Sequence, residues 1–371
     1  MSPDPAPKIL IIRRDNIGDL VCTAPLIAAL RQRFPAAWLG ALVNSYNAPV
    51  LEGNPDLDEM FVYTKAKHRS GNESLAAILW RRLRMMRRLR AMAIDDVIVA
   101  TTSPQPRAVK LARWLKPKRV IGFGAVAGLD ISLPVDTDAR HEVEDVFRIA
   151  KVYGIDGAPP PCRVVAGTVL PAPALGVPLE TLTIGVHISA RKPSQRWPAE
   201  RFARTMQAIA AGGPIRFLLL WSPGDDDNPR HPGDDAKARE VMQGVGAGSL
   251  CIPGIPLARR EAESRVCRDR GQVTVIARPT RTLPDLIAAL AECRAVICAD
   301  GGAMHLAAGL GLPVVCLFGN SGAARWHPWG VPYRLLQKPS LDVADIAVDE
   351  VVAAFNSLRD DIPEPSAASL P

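Results

Sequence analysis

The sequence predicts an α/β protein made of two Rossmann-like domains. Three observations carry that prediction. Short apolar runs rich in β-branched residues alternate with segments of helical period, the pattern of a parallel sheet wrapped by helices. The length of 371 residues corresponds to two domains at roughly 150 residues each. A stretch rich in proline and small residues, 158–178, contains Pro159-Pro160-Pro161 and Pro171-Ala172-Pro173. It reads as a linker, and the pattern restarts after it.

The first half opens with Lys8 to Arg13 (KILIIR), a buried strand. A turn from Arg14 to Gly18 leads to a helical pattern from Asp19 to Phe34, closed by Pro35. Strands follow at Ala37 to Val43 and Met60 to Tyr63, then a very basic helix from Leu75 to Met92. Asp96 to Ala100 is a strand, Ala108 to Leu115 a helix and Arg119 to Gly122 a strand. In the second half, strands are expected at Leu182 to Val186, Arg216 to Trp221, Ala295 to Cys298 and Val314 to Phe318. Helices are expected at Ala199 to Ala211, Ala236 to Val245, Leu283 to Ala291, Ala303 to Leu310 and Asp349 to Leu358. The stretch from Asp225 to Thr280 is polar and irregular in period, and the tail from Pro363 reads as disordered. The expected division is 1–170, 179–345, and a terminal helix and tail at 346–371. Two such domains make a cleft, with ligands at the carboxyl ends of the strands.

Composition narrows the partners. Apolar residues make up 48% and charged residues 22%, as in soluble globular proteins. The formal charge of +7 favours anionic partners, namely nucleotide diphosphates, phosphorylated lipids, membrane surfaces or nucleic acid. The seven cysteines (Cys22, Cys162, Cys251, Cys267, Cys293, Cys298 and Cys316) form no C-x-x-C pair, which argues against zinc. Cys298 and Cys316 lie in apolar runs and read as small core residues. No apolar run reaches the 18 or so residues of a membrane span. Met1 to Pro7 lacks the layout of a signal peptide. The expected location is the cytoplasm, from which a membrane surface is reachable.

Five segments could carry chemistry. In Ala295 to Phe318 (AVICADGGAMHLAAGLGLPVVCLF) a strand ends at Asp300, Gly301 and Gly302 follow, and a helix opens with His305 in its first turn. Glycines let phosphates approach the backbone, and a helix N-terminus offers N–H groups and a positive dipole end. The bland reading is a tight turn with Asp300 as cap and His305 in the core. In Gly185 to Pro198 (GVHISARKPSQRWP), Arg191, Lys192 and Arg196 share a post-strand loop with Ser189 and Ser194. That loop suits a diphosphate or is simply solvated. In Arg13 to Pro25, Gly18 lets the turn approach a ligand. Asp19 opens a helix, where its charged form is stabilised and can accept a proton. Arg13 and Arg14 either contact anions or lie on the surface. Asp225-Asp226-Asp227 could accept ribose hydroxyls, hold Mg²⁺ or be a solvated turn. Trp80 to Met92 (WRRLRMMRRLRAM) interleaves Arg81, Arg82, Arg84, Arg87, Arg88 and Arg90 with Leu83, Met85, Met86 and Leu89. It is a basic amphipathic helix, suited to anionic membranes or phosphorylated ligands, or a solvated face.

Three blocks together, IIRRDNIGDLVCTAPLIAAL, GVHISARKPSQRWPAERFA and ICADGGAMHLAAGLGLPVVCLFG, resemble glycosyltransferase family 9, which includes the ADP-heptose:lipopolysaccharide heptosyltransferases. They span about residues 8 to 320. The resemblance implies a GT-B fold with two Rossmann-like domains facing across a cleft, the acceptor on the N-terminal domain and the donor on the C-terminal one. It implies an inverting, metal-independent transfer with no cofactor. Asp19 takes the place of the family's catalytic carboxylate. The basic residue before W-P is Arg196, with Lys192 nearby, and D-x-G-x-x-H falls on Asp300, Gly302 and His305. Where the family often has Thr or Ser, this chain has Gly301, leaving backbone donors for the phosphate. Ser189 and Asp225 are the further donor candidates, with Asp225 for the ribose; Arg13, Arg14 and Gly18 are the acceptor candidates. The implied partners are an ADP-linked sugar, a lipopolysaccharide core or other anionic glycan, and the inner membrane peripherally through Arg81–Arg90, but not nucleic acid. The alternatives are a family 9 transferase with another sugar or a protein acceptor, and a non-catalytic nucleotide or nucleic-acid binder using the basic helix.

Overall fold

The structure is a computed structural model. It describes residues 6–63, 74–136, 140–167, 182–226, 233–246 and 273–363. The expected linker residues 168–178, Asp227, Cys251, Cys267 and the tail at 364–371 lie outside the described residues. The chain divides into two compact units, Met1–Val165 and Ala166–Pro371.

The first unit runs β1 (Lys8–Ile12), α1 (Ile17–Val21), α2 (Ala24–Arg33), β2 (Trp38–Asn44), β3 (Glu59–Tyr63), α3 (Leu75–Ala91), β4 (Asp96–Val99), α4 (Pro106–Trp114), β5 (Arg119–Phe123), β6 (Ile131–Leu133) and α5 (Glu142–Phe147). The second runs β7 (Leu182–His187), α6 (Ala199–Ala210), β8 (Ile215–Trp221), α7 (Asp235–Gly244), β9 (Thr274–Pro279), α8 (Leu283–Ala291), β10 (Ala295–Ala299), α9 (Gly302–Gly309), β11 (Val314–Phe318), α10 (Ala323–Trp326), β12 (Tyr333–Gln337) and α11 (Val348–Leu358).

Each unit holds one six-stranded sheet, in the orders β3-β2-β1-β4-β5-β6 and β12-β11-β10-β7-β8-β9. All the strand pairs are parallel. Counted within its own unit, each sheet has the order 3-2-1-4-5-6, the Rossmann arrangement the sequence predicts. The chain reverses its direction of travel between β1 and β4, and again between β7 and β10. Such switch points open a crevice at the carboxyl ends of the two flanking strands.

The central strands read clearly in the sequence because helices cover both their faces. Residues Ile9 to Ile12 and Ala295 to Cys298 are essentially fully buried, as parallel strands should be. In the second unit, Trp197 and Phe202 meet edge to face at 4.9 Å. The Trp197 indole N–H donates to Ile346 O at 3.0 Å, so its burial strands no polar group. Helix α11 packs into the same core through Val351, Phe355 and Leu358.

The structure differs from the sequence expectation at the first helix, at β6 and α5, and at β9 and β12. The helix expected from Asp19 to Phe34 starts earlier, at Ile17, and is broken at Cys22-Thr23. Pro25 has no N–H and its ring disfavours helical continuation, while the Thr23 hydroxyl turns back to Asp19 O at 2.9 Å. Strand β6 and helix α5 were not expected; β6 has three residues and pairs only with β5. Strands β9 and β12 are the sheet edges of the second unit and are largely half-buried, so neither shows a clean apolar run. Cys298 and Cys316 face each other in register between β10 and β11, buried.

Candidate active site

At the first switch point, β1 delivers Arg13 to the sheet's carboxyl end. Its N–H continues the ladder to Leu42 O at 3.2 Å. The side chain is 1% exposed, and a buried guanidinium needs every available partner. Nη1 donates to Ala100 O. Nη2 donates to Asp19 Oδ1 at 2.7 Å and to Glu142 Oε1 at 2.7 Å. Nε lies 3.1 Å from Asp15 Oδ2. Asp19 is the third residue of α1, where its Oδ2 accepts from the Asn16 backbone N–H at 3.1 Å and from Asn16 Nδ2 at 3.0 Å. This closes the capping box at the helix start. Burial alone would raise the Asp19 pKa, but the Arg13 charge and the Arg13 and Asn16 hydrogen bonds outweigh it. The net result lies below the ordinary carboxylate range, so the group is ionised at neutral pH.

Beside this centre is a cavity of about 650 Å³ lined by Arg14, Asp15, Tyr63, Arg82, Thr101, Gln105, Arg107, Lys110 and Trp114, among others. Four cations face one carboxylate there. The guanidinium carbons of Arg14 and Arg82 each lie 5.7 Å from the Tyr63 ring centre. The cavity therefore combines positive charge with aromatic surface, which suits an anionic sugar.

In the second unit, three loops converge at the carboxyl ends of β7, β10 and β11. The loop after β7 carries Ser189 to Arg196 and includes the short 3-10 turn Pro193–Gln195. Gln195 is 6% exposed. Its Nε2 donates to Asp300 Oδ2 at 2.7 Å and to Ser321 Oγ at 2.6 Å. The Ser194 hydroxyl donates to Asn320 Oδ1 at 3.2 Å. Gly319 follows β11 so closely that a Cβ there would stand 2.5 Å from Ser194 O. Gly301, with φ +157° and ψ −166°, is the N-cap of α9. That backbone region is open essentially to glycine alone. Among the described residues no side chain caps α9, so its first N–H groups and positive dipole end could receive an anion. His305 is 5% exposed, in the first turns of α9, with its ring edge-on to Trp326 at 6.0 Å.

A family model described as glycosyltransferase family 9 (heptosyltransferase) matches residues 239–342, which include Asp300 to His305. Across more of its length the chain is similar to members of that family. The chain is 22% identical to lipopolysaccharide heptosyltransferase 3 of Escherichia coli over 328 residues, 84% of this chain and 83% of that protein. Its fold is GT-B. A family 9 glycosyl transferase from Veillonella parvula superposes with a TM-score of 0.73 at 19% identity, covering 95% of this chain and 97% of that one. The Escherichia coli heptosyltransferase WaaC with ADP gives a TM-score of 0.69 at 16% identity, covering 95% and 99%. The same protein with ADP-2-deoxy-2-fluoro heptose gives 0.67 at 18% identity, covering 94% and 99%.

The expected site residues lie in two places, one in each unit. Asp300, Gly301, Gly302 and His305 stand at the second switch point with the loop bearing Ser189, Lys192 and Arg196. Arg196 is exposed and its Nε donates to Ala190 O at 3.1 Å, while Ser189 Oγ accepts from Ser222 N at 2.8 Å. Asp225 is exposed after β8, its carbonyl accepting from Gly233 N at 2.8 Å. Arg14 lines the cationic cavity. Two expectations need correction. Arg13, expected to face a ligand or the surface, is buried, with Nη1 on Ala100 O and Nη2 on Asp19 and Glu142. Gly18 is buried in the first turn of α1, not in the loop before it.

Sequence reasoning missed Gln195, Glu142, Lys237 and His187. Lys237, on α7, donates to Ile188 O at 2.9 Å and so ties α7 to the start of the loop after β7. Burial pulls its pKa down to about 8; Asp234 opposes this and Arg196 adds to it. Burial, with Lys237 adding, lowers His187 to about 4, so that ring is neutral at pH 7. Gln195 had one signal, its place between two basic residues of a post-strand loop.

Proposed function

We propose that the enzyme transfers heptose from ADP-heptose to a lipopolysaccharide core acceptor, inverting the anomeric centre without a metal ion. The observation that carries this reading is Asp19, a carboxylate held ionised at a helix N-terminus on the first switch point of a chain similar to family 9 transferases. The ADP and ADP-heptose analogue in the WaaC structures support an ADP-linked heptose as donor.

In this reading the second unit takes the donor. The diphosphate sits against the N-terminus of α9 at Gly301 and Gly302, with Lys192, Arg196 and His305 around it, and Ser189 and Asp225 serve the nucleoside. The first unit takes the acceptor, with Arg14, Arg82, Arg107 and Lys110 receiving its anionic groups. The acceptor hydroxyl oxygen attacks the anomeric carbon from the face opposite the diphosphate. Its proton passes to Asp19 as the new C–O bond forms. The bond from the anomeric carbon to the diphosphate breaks, and its electron pair leaves with ADP. The transition state is oxocarbenium-like, and the cations and backbone N–H groups stabilise the charge building on the leaving group. The arginines of α3, with exposed Leu79 and Trp80 beside them, suit an anionic membrane surface. Among the described residues no helix is long and apolar enough to cross a membrane.

A thermal-shift panel of ADP, UDP, GDP and CDP tests the donor half of the reading. A ligand at 100 times its Kd stabilises by about 2.7 kcal/mol. ADP is expected to raise Tm most. Equal responses to all four would remove the nucleotide assignment. Steeply salt-dependent oligonucleotide binding without an ADP response would point to a nucleic-acid binder instead.

A further inference from the structure

Glu142 is 1% exposed and begins α5. A carboxylate buried so deeply must be paired. Among its partners are Arg13 Nη2 at 2.7 Å and the Thr102 hydroxyl at 3.2 and 3.3 Å. The pairing crosses 129 positions of sequence and ends on the same nitrogen that holds Asp19. A guanidinium is a rigid planar fork. Once Ala100 O and Glu142 fix it, the direction from which it donates to Asp19 is fixed too.

The charges matter as much as the geometry. The charged groups at this centre are Arg13 and Asp15 from the segment after β1, Asp19 from α1 and Glu142 from α5. Thr101 and Thr102, after β4, add hydroxyls to Asp15 and Glu142. The neighbouring His141 ring accepts from Val143 N at 3.1 Å. With Asp19 as its only partner, Arg13 would draw that carboxylate far down in basicity. Sharing the cation with Glu142 and Asp15 moderates the pull.

We propose that Glu142 is a positioning residue for the transfer reaction, holding Arg13 so that Asp19 is aimed and kept basic enough to take the acceptor's proton. This rests on the reading of Asp19 as the base. It predicts that Glu142→Gln, which keeps the shape and one acceptor oxygen but loses the charge, strengthens the hold of Arg13 on Asp19.

The test is kcat, KM and their pH profiles for Glu142→Gln, with Arg13→Lys as a second variant that keeps the charge but loses the fork. Activity is expressed per mole of enzyme that binds ADP, which removes any misfolded fraction. Glu142→Gln should lower kcat about tenfold, leave the donor KM within twofold, and move the acid limb of kcat to lower pH. Arg13→Lys should lower kcat with the donor KM likewise unchanged. In an Asp19→Asn background, Glu142→Gln should cost nothing further. A wild-type kcat and acid limb in Glu142→Gln overturns the proposal, as does an equal loss with and without Asp19. If Asp19→Asn is itself fully active, the base assignment fails instead, whatever Glu142→Gln does.

Discussion

The side-chain amide of Gln195 donates to Asp300 Oδ2 at 2.7 Å and ties the loop after β7 to the end of β10. Asp300 is 7% exposed, so the bond holds a carboxylate that would otherwise lose a donor in a poorly solvated place. Removing one partner of a buried polar pair costs about 1–3 kcal/mol. Gln195→Ala should destabilise the second unit by that amount and raise the donor KM about tenfold. Denaturant unfolding and initial rates read the two effects. An unchanged donor KM would separate this bond from donor binding.

Gly319→Ala probes the same junction from the other side. A Cβ there meets Ser194 O at 2.5 Å, and backbone cannot swing aside as a side chain can. Overpacking of this kind costs about 1–3 kcal/mol. The loop carrying Lys192 and Arg196 must shift, so ADP affinity should fall several-fold. Calorimetric titration with ADP measures it, and wild-type affinity would mean the two loops are not coupled.

As the proposed base, Asp19 predicts a pH dependence of activity. Burial opposes ionisation, but Arg13 and Asn16 more than offset it and hold its pKa below the ordinary value, about 3.9. Since the base must be ionised, kcat should stay flat from neutral pH down through the ordinary aspartate range. Its acid limb should lie lower still. A limb between pH 5 and 7 would assign the proton to another group.

His187 sets a pH dependence of stability. Its folded pKa of about 4, lowered first by burial and then by Lys237, lies below the ordinary histidine value of about 6.5. Between those values the unfolded chain binds a proton that the folded chain does not. Its contribution is therefore fully present above about pH 6.5 and is lost as pH falls towards 4, by about 3 kcal/mol in all. In His187→Gln the stability curve should be flatter than wild type in that window. Parallel curves would show that the ring is protonated in the folded protein.

Both Rossmann-like sheets were legible because β1, β4, β10 and β11 are covered on both faces, which leaves unbroken apolar runs in the sequence. Edge strands β9 and β12 lack that cover and leave no such trace. The turn at Asp300 to His305 and the position of Asp19 at a helix start were legible because each is local, a strand end followed by a helix start. Arg13 and Arg14 were not separable by eye. Successive residues of an extended chain point opposite ways, so Arg13 turns into the carboxylate cluster while Arg14 lines the cavity. Glu142 was invisible because its meaning lies in a partner 129 positions away, on a helix of only six residues.

The most direct test of the central claim is heptose transfer from ADP-heptose to a lipopolysaccharide core acceptor by wild type and Asp19→Asn, with ADP affinity measured alongside. General-base catalysis contributes about 10²–10⁴-fold. Asp19→Asn should lose at least 10²-fold in kcat while binding ADP as wild type does. Turnover by Asp19→Asn at the wild-type rate would contradict the account.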